Sequence, residues 1–134
     1  MIRIRAIDHI VLRTARPEPM IRFYEDVLGC LVERRLPPET GLTQLRAGNA
    51  LVDIVAVDSA LGRVGGGPPG RTENNLDHFC LQLEPIAQDE LRGWLQSHGI
   101  DCGEFQSRYG AEGFGPSIYI RDPDGNTVEL RGAV

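Results

Sequence analysis

Two stretches of the chain share one pattern, Asp8-His9-Ile10-Val11-Leu12 and Asp77-His78-Phe79-Cys80-Leu81, and each is followed by segments that end on a strand carrying a carboxylate, Asp53 in the first half and Glu129 in the second. Imidazole and carboxylate are the donors that hold first-row divalent cations. Two similar half-sheets facing one another would bring all four side chains into one cavity. A lone histidine on a half-apolar strand is usually a satisfied core residue, but two of the three histidines stand at equivalent places of a repeat, which favours ligation. The third, His98 beside Gly99, reads as a partner of a helix C-terminus. Cys80 lies on the same side as His78 and is the one cysteine placed for chemistry.

These side chains need strands to aim them and helices to back the strands. Ile7 to Thr14 alternates, with His9, Val11 and Arg13 on one face and Ile10 and Leu12 on the other. Pro17 to Leu28 follows with Met20, Phe23, Tyr24, Val27 and Leu28 at helical spacing, a proline in the first turn and Gly29 as a left-handed stop. Strands are expected around Cys30 to Arg35, Leu42 to Ala47 and Leu51 to Val57. The second half repeats the order. Asp77 to Leu83 is a strand; Ala87, Leu91, Trp94 and Leu95 mark a helix ended by Gly99; strands follow near Cys102 to Arg108, Pro116 to Arg121 and Asn126 to Arg131. The last two are joined through Asp122-Pro123-Asp124-Gly125, a turn whose glycine and acid come too early for a calcium loop.

The chain is thus expected to be α+β, one domain over residues 1–134 built of two β-α-β-β-β modules, about 5–58 and 76–134. The Gly- and Pro-rich segment between them, about 59–75, reads as a flexible connector. Period-2 parity assigns Ile10, Leu12, Phe79, Leu81, Leu83, Ile118, Ile120, Val128 and Leu130 to the helix-covered faces. The opposite faces collect His9, Arg13, Asp53, His78, Cys80, Gln82, Ser117, Tyr119, Arg121, Thr127, Glu129 and Arg131. That set is too polar for a plain sandwich core, and a metal with a polar substrate would satisfy it.

Composition removes other classes. With 134 residues and 41% hydrophobic content the chain can build a core unaided. A net charge of -5 gives no footprint for nucleic acid. All 14 basic residues are arginine, so a Schiff-base lysine and a P-loop lysine are both excluded. Three cysteines without a C-x-x-C, and no apolar run of membrane-spanning length or signal-peptide core, point to a cytoplasmic protein without membrane contact.

The stretches Ile7 to Leu12, Phe23-Tyr24-Glu25-Asp26-Val27-Leu28-Gly29, Leu76 to Phe79 and Tyr119 to Leu130 together resemble the vicinal oxygen chelate superfamily, which includes glyoxalase I, bleomycin-resistance proteins, fosfomycin-resistance enzymes and extradiol dioxygenases. The resemblance covers nearly the whole chain. It implies a cupped mixed sheet with helices on its outer face, around a divalent ion such as Zn, Ni, Mn or Fe. It implies His9, His78 and Glu129 as ligands. Asp53 stands where glyoxalase I has a glutamate, and its shorter side chain makes it a fourth ligand, a base or a neighbouring carboxylate. The implied chemistry is chelation of two adjacent substrate oxygens and stabilisation of an enediolate, with Glu129 or Asp53 moving the proton. Arg13, Ser117, Tyr119 and Arg121 are the expected contacts to a small substrate, such as a thiol conjugate. A glyoxalase I-like lyase or isomerase leads, because an acid occupies the fourth position. A fosfomycin-resistance-like thiol or water transferase, a ring-cleaving dioxygenase and a non-catalytic drug- or metabolite-binding protein are the alternatives.

The resemblance also implies a homodimer, and an open sheet with uncovered strand edges requires the same protection. Sedimentation at micromolar concentration should show a dimer; monomer alone would contradict the expectation.

Overall fold

The computed structural model describes residues 1–72 and 76–134. It separates into two compact units, Met1–Gly70 and Arg71–Val134. The first holds β1 (His9–Thr14), α1 (Pro17–Arg22), β2 (Leu31–Arg35), β3 (Leu42–Ala47) and β4 (Ala50–Ala56). The second holds β5 (Phe79–Ile86), α2 (Gln88–Ser97), β6 (Gln106–Gly110), β7 (Gly113–Arg121) and β8 (Thr127–Ala133). Each unit is the β-α-β-β-β repeat anticipated from the sequence, folded as a four-stranded mixed sheet. The strand orders are β1-β4-β3-β2 and β5-β8-β7-β6. Among the described residues no helix is long and apolar enough to cross a membrane.

In both sheets the first strand runs parallel to the last, and the remaining pairs are antiparallel. A parallel pair requires a crossover, and the helix with the two following strands supplies it. In the first unit Met20, Ile21, Phe23 and Tyr24 are buried together with Leu12, Leu45, Val52 and Ile54. In the second, Leu91 and Leu95 are buried, as are Ile118, Ile120, Val128 and Leu130. Trp94, expected to help mark the buried stripe of α2, is instead 48% exposed and lies with its ring 4.4 Å from that of His98.

Three local features depart from the sequence-based expectations. The helix expected over Pro17 to Leu28 is α-helical only to Arg22 and widens into a π turn over Phe23–Val27. There the Leu28 N–H donates to the Phe23 carbonyl at 3.3 Å, and the Cys30 N–H to the Tyr24 carbonyl at 2.8 Å. The widening lets adjacent Phe23 and Tyr24 both be buried, edge to face at 5.2 Å. Secondly, the connector is not plain coil: Gly62–Gly65 forms a 3-10 turn tied to β1 by Arg13. Residues 73–75 of the connector lie outside the described residues. Thirdly, β6 begins four residues later than expected, and β5 and β8 run further, with an irregularity between Gln82 and Ile86.

That irregularity rests on Gly132. Its φ of 115° is a conformation other residues avoid, and a Cβ there would stand 2.5 Å from the Leu83 carbonyl oxygen. Gly132→Ala should therefore cost about 2 kcal/mol or more, lowering the thermal midpoint by at least about 4 °C. An unchanged midpoint would show that the bulge does not depend on this residue.

Candidate metal-binding residues

In the first unit the register His9↔Leu51, Val11↔Asp53 and Arg13↔Val55 puts His9, Arg13 and Asp53 on one face, as parity anticipated. His9 is exposed, with Nδ1 2.6 Å from an Asp8 oxygen. A carboxylate only accepts, so Nδ1 carries the proton and Nε2 keeps its lone pair. The hydrogen bond to Asp8 raises the His9 pKa above the ordinary histidine value; the charges of Asp53 and Asp8 add to it, against a loss from desolvation. Asp53 is only 3% exposed. Its Oδ2 accepts from Gln44 Nε2 at 3.2 Å, and Gln44 Oε1 accepts in turn from Arg34 at 3.4 Å. Asp53 Oδ1 is buried and has no hydrogen-bond partner among the described residues.

In the second unit Cys80 and Tyr119 both pair with Glu129, and Ser117 pairs with Arg131. His78, just before β5, repeats the arrangement of His9, with Nδ1 2.6 Å from Asp77 Oδ2. Its Nε2 lies 3.2 Å from Glu129 Oε2. Glu129 is 6% exposed, and its Oε1 accepts a 2.6 Å hydrogen bond from the Ser117 hydroxyl. The Tyr119 ring stands edge to face with His78 at 5.3 Å. Cys80 is open to solvent, yet local desolvation and then the Glu129 carboxylate push its thiol up to about 11, which keeps it protonated and poorly nucleophilic at neutral pH.

Both arginines expected to face a substrate donate to backbone carbonyls. Arg13 donates to the carbonyls of Gly62, Gly66 and Gly67 at 2.5–3.2 Å. Arg121 donates to Gly125 at 3.1 Å across the turn before β8. His98 lies at the C-terminus of α2 with Nδ1 3.0 Å from the Trp94 carbonyl, the helix-end role expected of it. Sequence reasoning missed Arg108, whose guanidinium lies 4.2 Å from the Tyr119 ring centre. It also left the acids that precede each histidine without a role. The repeated Asp-His dipeptide was the available signal.

Among the described residues no three His, Cys, Asp or Glu side chains gather into one metal-holding group. The structure shows pairs: His9 with Asp53 on one face of the first sheet, His78 with Glu129 in the second. Their chemistry fits a cation. The His78 ring lies between two carboxylates, Asp77 at Nδ1 and Glu129 at Nε2, and an imidazole beside a carboxylate is a donor pair that suits a divalent cation. Asp53 Oδ1 lacks a donor in a buried setting, an arrangement that a cation would relieve.

The family model described as Glyoxalase/Bleomycin resistance protein/Dioxygenase superfamily matches residues 6–130. The virulence protein STM3117 of Salmonella typhimurium is 33% identical over 92% of this chain and 81% of its own length. The crystal structure of STM3117 superposes with a TM-score of 0.75 at 27% identity, covering 99% of this chain and 100% of that one. Biphenyl-2,3-diol 1,2-dioxygenase 3 of Rhodococcus globerulus is 32% identical over 93% of this chain, which spans 62% of the dioxygenase. A lactoylglutathione lyase structure from Agrobacterium tumefaciens gives a TM-score of 0.67 at 25% identity, over 94% of this chain and 92% of that one.

If Asp53 is a buried acid held for a cation, it is a burden to the metal-free fold. With a chelator present, Asp53→Leu should raise stability by about 1 kcal/mol, read as a higher thermal midpoint. A lower midpoint would mean that the bond from Gln44 outweighs the cost of burying the carboxylate.

Proposed function

The chain belongs to the Glyoxalase/Bleomycin resistance protein/Dioxygenase superfamily, and from that membership we propose that it is a divalent-metal-dependent enzyme of glyoxalase I-like type. It acts as a lyase or isomerase on a small substrate with two neighbouring oxygens. The observation that carries this reading is Asp53, a buried acid on the face of His9 with one oxygen free of donors. His9, His78 and Glu129 are the residues that would hold the ion, and each imidazole is oriented by the aspartate before it. Zinc, nickel, manganese and iron all suit such donors. The ion supplies Lewis-acid stabilisation to a substrate oxygen that gains negative charge.

The remaining steps belong to side chains. Glu129 has Oε1 occupied by Ser117 and Oε2 directed at His78, an arrangement suited to ligation. Asp53, with Oδ1 uncommitted, is the better base. It takes a proton from the sulfur-bearing carbon of a hemithioacetal and returns it to the adjacent carbonyl carbon, while the hydroxyl proton of the first carbon passes to the oxygen of the second, giving a hydroxy thioester without an external oxidant or reductant. Tyr119, half-exposed beside His78, donates to a substrate oxygen. Arg13 and Arg121 shape the surrounding loops, since their donors already serve backbone carbonyls.

The likeness to a lactoylglutathione lyase makes the hemithioacetal of methylglyoxal and glutathione the substrate to test. Metal-loaded protein should convert it to the thioester. Glu129→Gln should weaken metal affinity at least ~10-fold, whereas Asp53→Asn should keep most of the metal and lower turnover at least ~100-fold. Equal loss of metal in both variants would make Asp53 a fourth ligand; retention in both would refute the carboxylate assignments. A second reading has support from the dioxygenase relative: with Asp53 off the metal, two histidines and one carboxylate form the set used for Fe(II) and O₂. Cleavage of biphenyl-2,3-diol by the Fe(II)-loaded protein in air, without thioester formation, would replace the lyase reading.

A further inference from the structure

Glu129 is held by a chain of hydrogen bonds that runs in one direction. Arg108, on β6, donates from Nη1 to the Ser117 hydroxyl at 2.9 Å and to the Ser117 carbonyl at 2.7 Å. A guanidinium has donors only. Ser117, with 0% exposure, must therefore accept from Arg108 and direct its single proton to Glu129 Oε1 at 2.6 Å. That contact is short, as bonds to charged acceptors are. With Oε1 occupied, Oε2 is the oxygen left facing His78 Nε2 at 3.2 Å.

The same guanidinium reaches His78 by a second route. It lies 4.2 Å from the Tyr119 ring centre, and that ring meets His78 edge to face at 5.3 Å. Arg131 sets the frame: it donates to the Arg108 carbonyl at 3.0 Å and to the Gly113 carbonyl at 2.8 Å, which holds β6 in place. Its own guanidinium is 3.9 Å from Glu129 Oε1, beyond hydrogen-bond range.

We propose that Arg108 and Ser117 are positioning residues for the His78 and Glu129 pair, Arg108 fixing Glu129 through Ser117 and His78 through Tyr119. The metal consequence rests on the reading given under Proposed function; the positioning itself does not. Both act through the residues they hold. Their effect is to present one defined carboxylate oxygen and one defined ring edge, removing rotamers that would otherwise compete with ligation.

The test uses the whole protein stripped of metal, with Ser117→Ala, Ser117→Thr, Arg108→Gln and, as a remote control, Arg92→Gln on α2. In the metal-free state, the His78 ring resonances should move in Ser117→Ala and Arg108→Gln, and stay near wild type in Ser117→Thr and Arg92→Gln. Titration with Co²⁺, followed by its visible absorption bands, should show affinity about 10-fold weaker and altered bands for Ser117→Ala and Arg108→Gln. Ser117→Thr, which keeps the hydroxyl, should return affinity to within about threefold of wild type. If the wild type binds no Co²⁺ while the ring resonances still move, the metal reading fails and the positioning role stands. Unmoved resonances, with Co²⁺ binding unaltered or absent, overturn the positioning role.

Discussion

Parallel pairing of the first and last strand in each unit is the constraint on which the rest of the structure depends. It sets a strand that begins at or directly after a histidine against the strand that carries the acid, and it does so twice. Antiparallel neighbours could have been joined by a two-residue turn. A parallel pair demands that the chain leave and return, so the helix and two intervening strands exist as a crossover. Around these pairs, antiparallel neighbours add the Gln44 bond to Asp53 from β3 and the Ser117 bond to Glu129 from β7, and each imidazole is held by the aspartate that precedes it in sequence.

The polar faces created in this way are unequal. On the first sheet, Asp53 has a single hydrogen bond among the described residues, and a neutral amide donates it. On the second, Glu129 meets a hydroxyl and an imidazole, with an arginine close by. Two acids of similar burial are therefore held differently, one with both oxygens engaged and one with a bare oxygen.

Much of this was legible in the sequence because parity and repetition are local signals. Alternation in His9, Val11 and Arg13, and in Ser117, Tyr119 and Arg121, assigned faces that the strand registers reproduce. The duplicated Asp-His identified the imidazoles. What escaped were contacts whose partners lie elsewhere in the chain. Nothing around Arg13 announces that its donors serve glycine carbonyls some fifty residues away. Arg108 sits on an edge strand without an apolar rhythm, so no periodicity marks its face. The helix from Pro17 showed an unbroken helical stripe, and the widening at Phe23 answers to packing rather than to pattern.

That widened turn lets the chain carry one extra residue before β2. An α-helix advances the chain by about 100° per residue, and a π turn absorbs roughly one residue without advancing the face. Phe23–Val27 thus acts as a phase insertion, and the chain leaves it at Gly29 and enters β2. Removing that extra residue would restore α geometry and leave the exit to β2 in phase. The turn is therefore a place where the helix can change length by one residue without disturbing the strands that follow or the acid they carry.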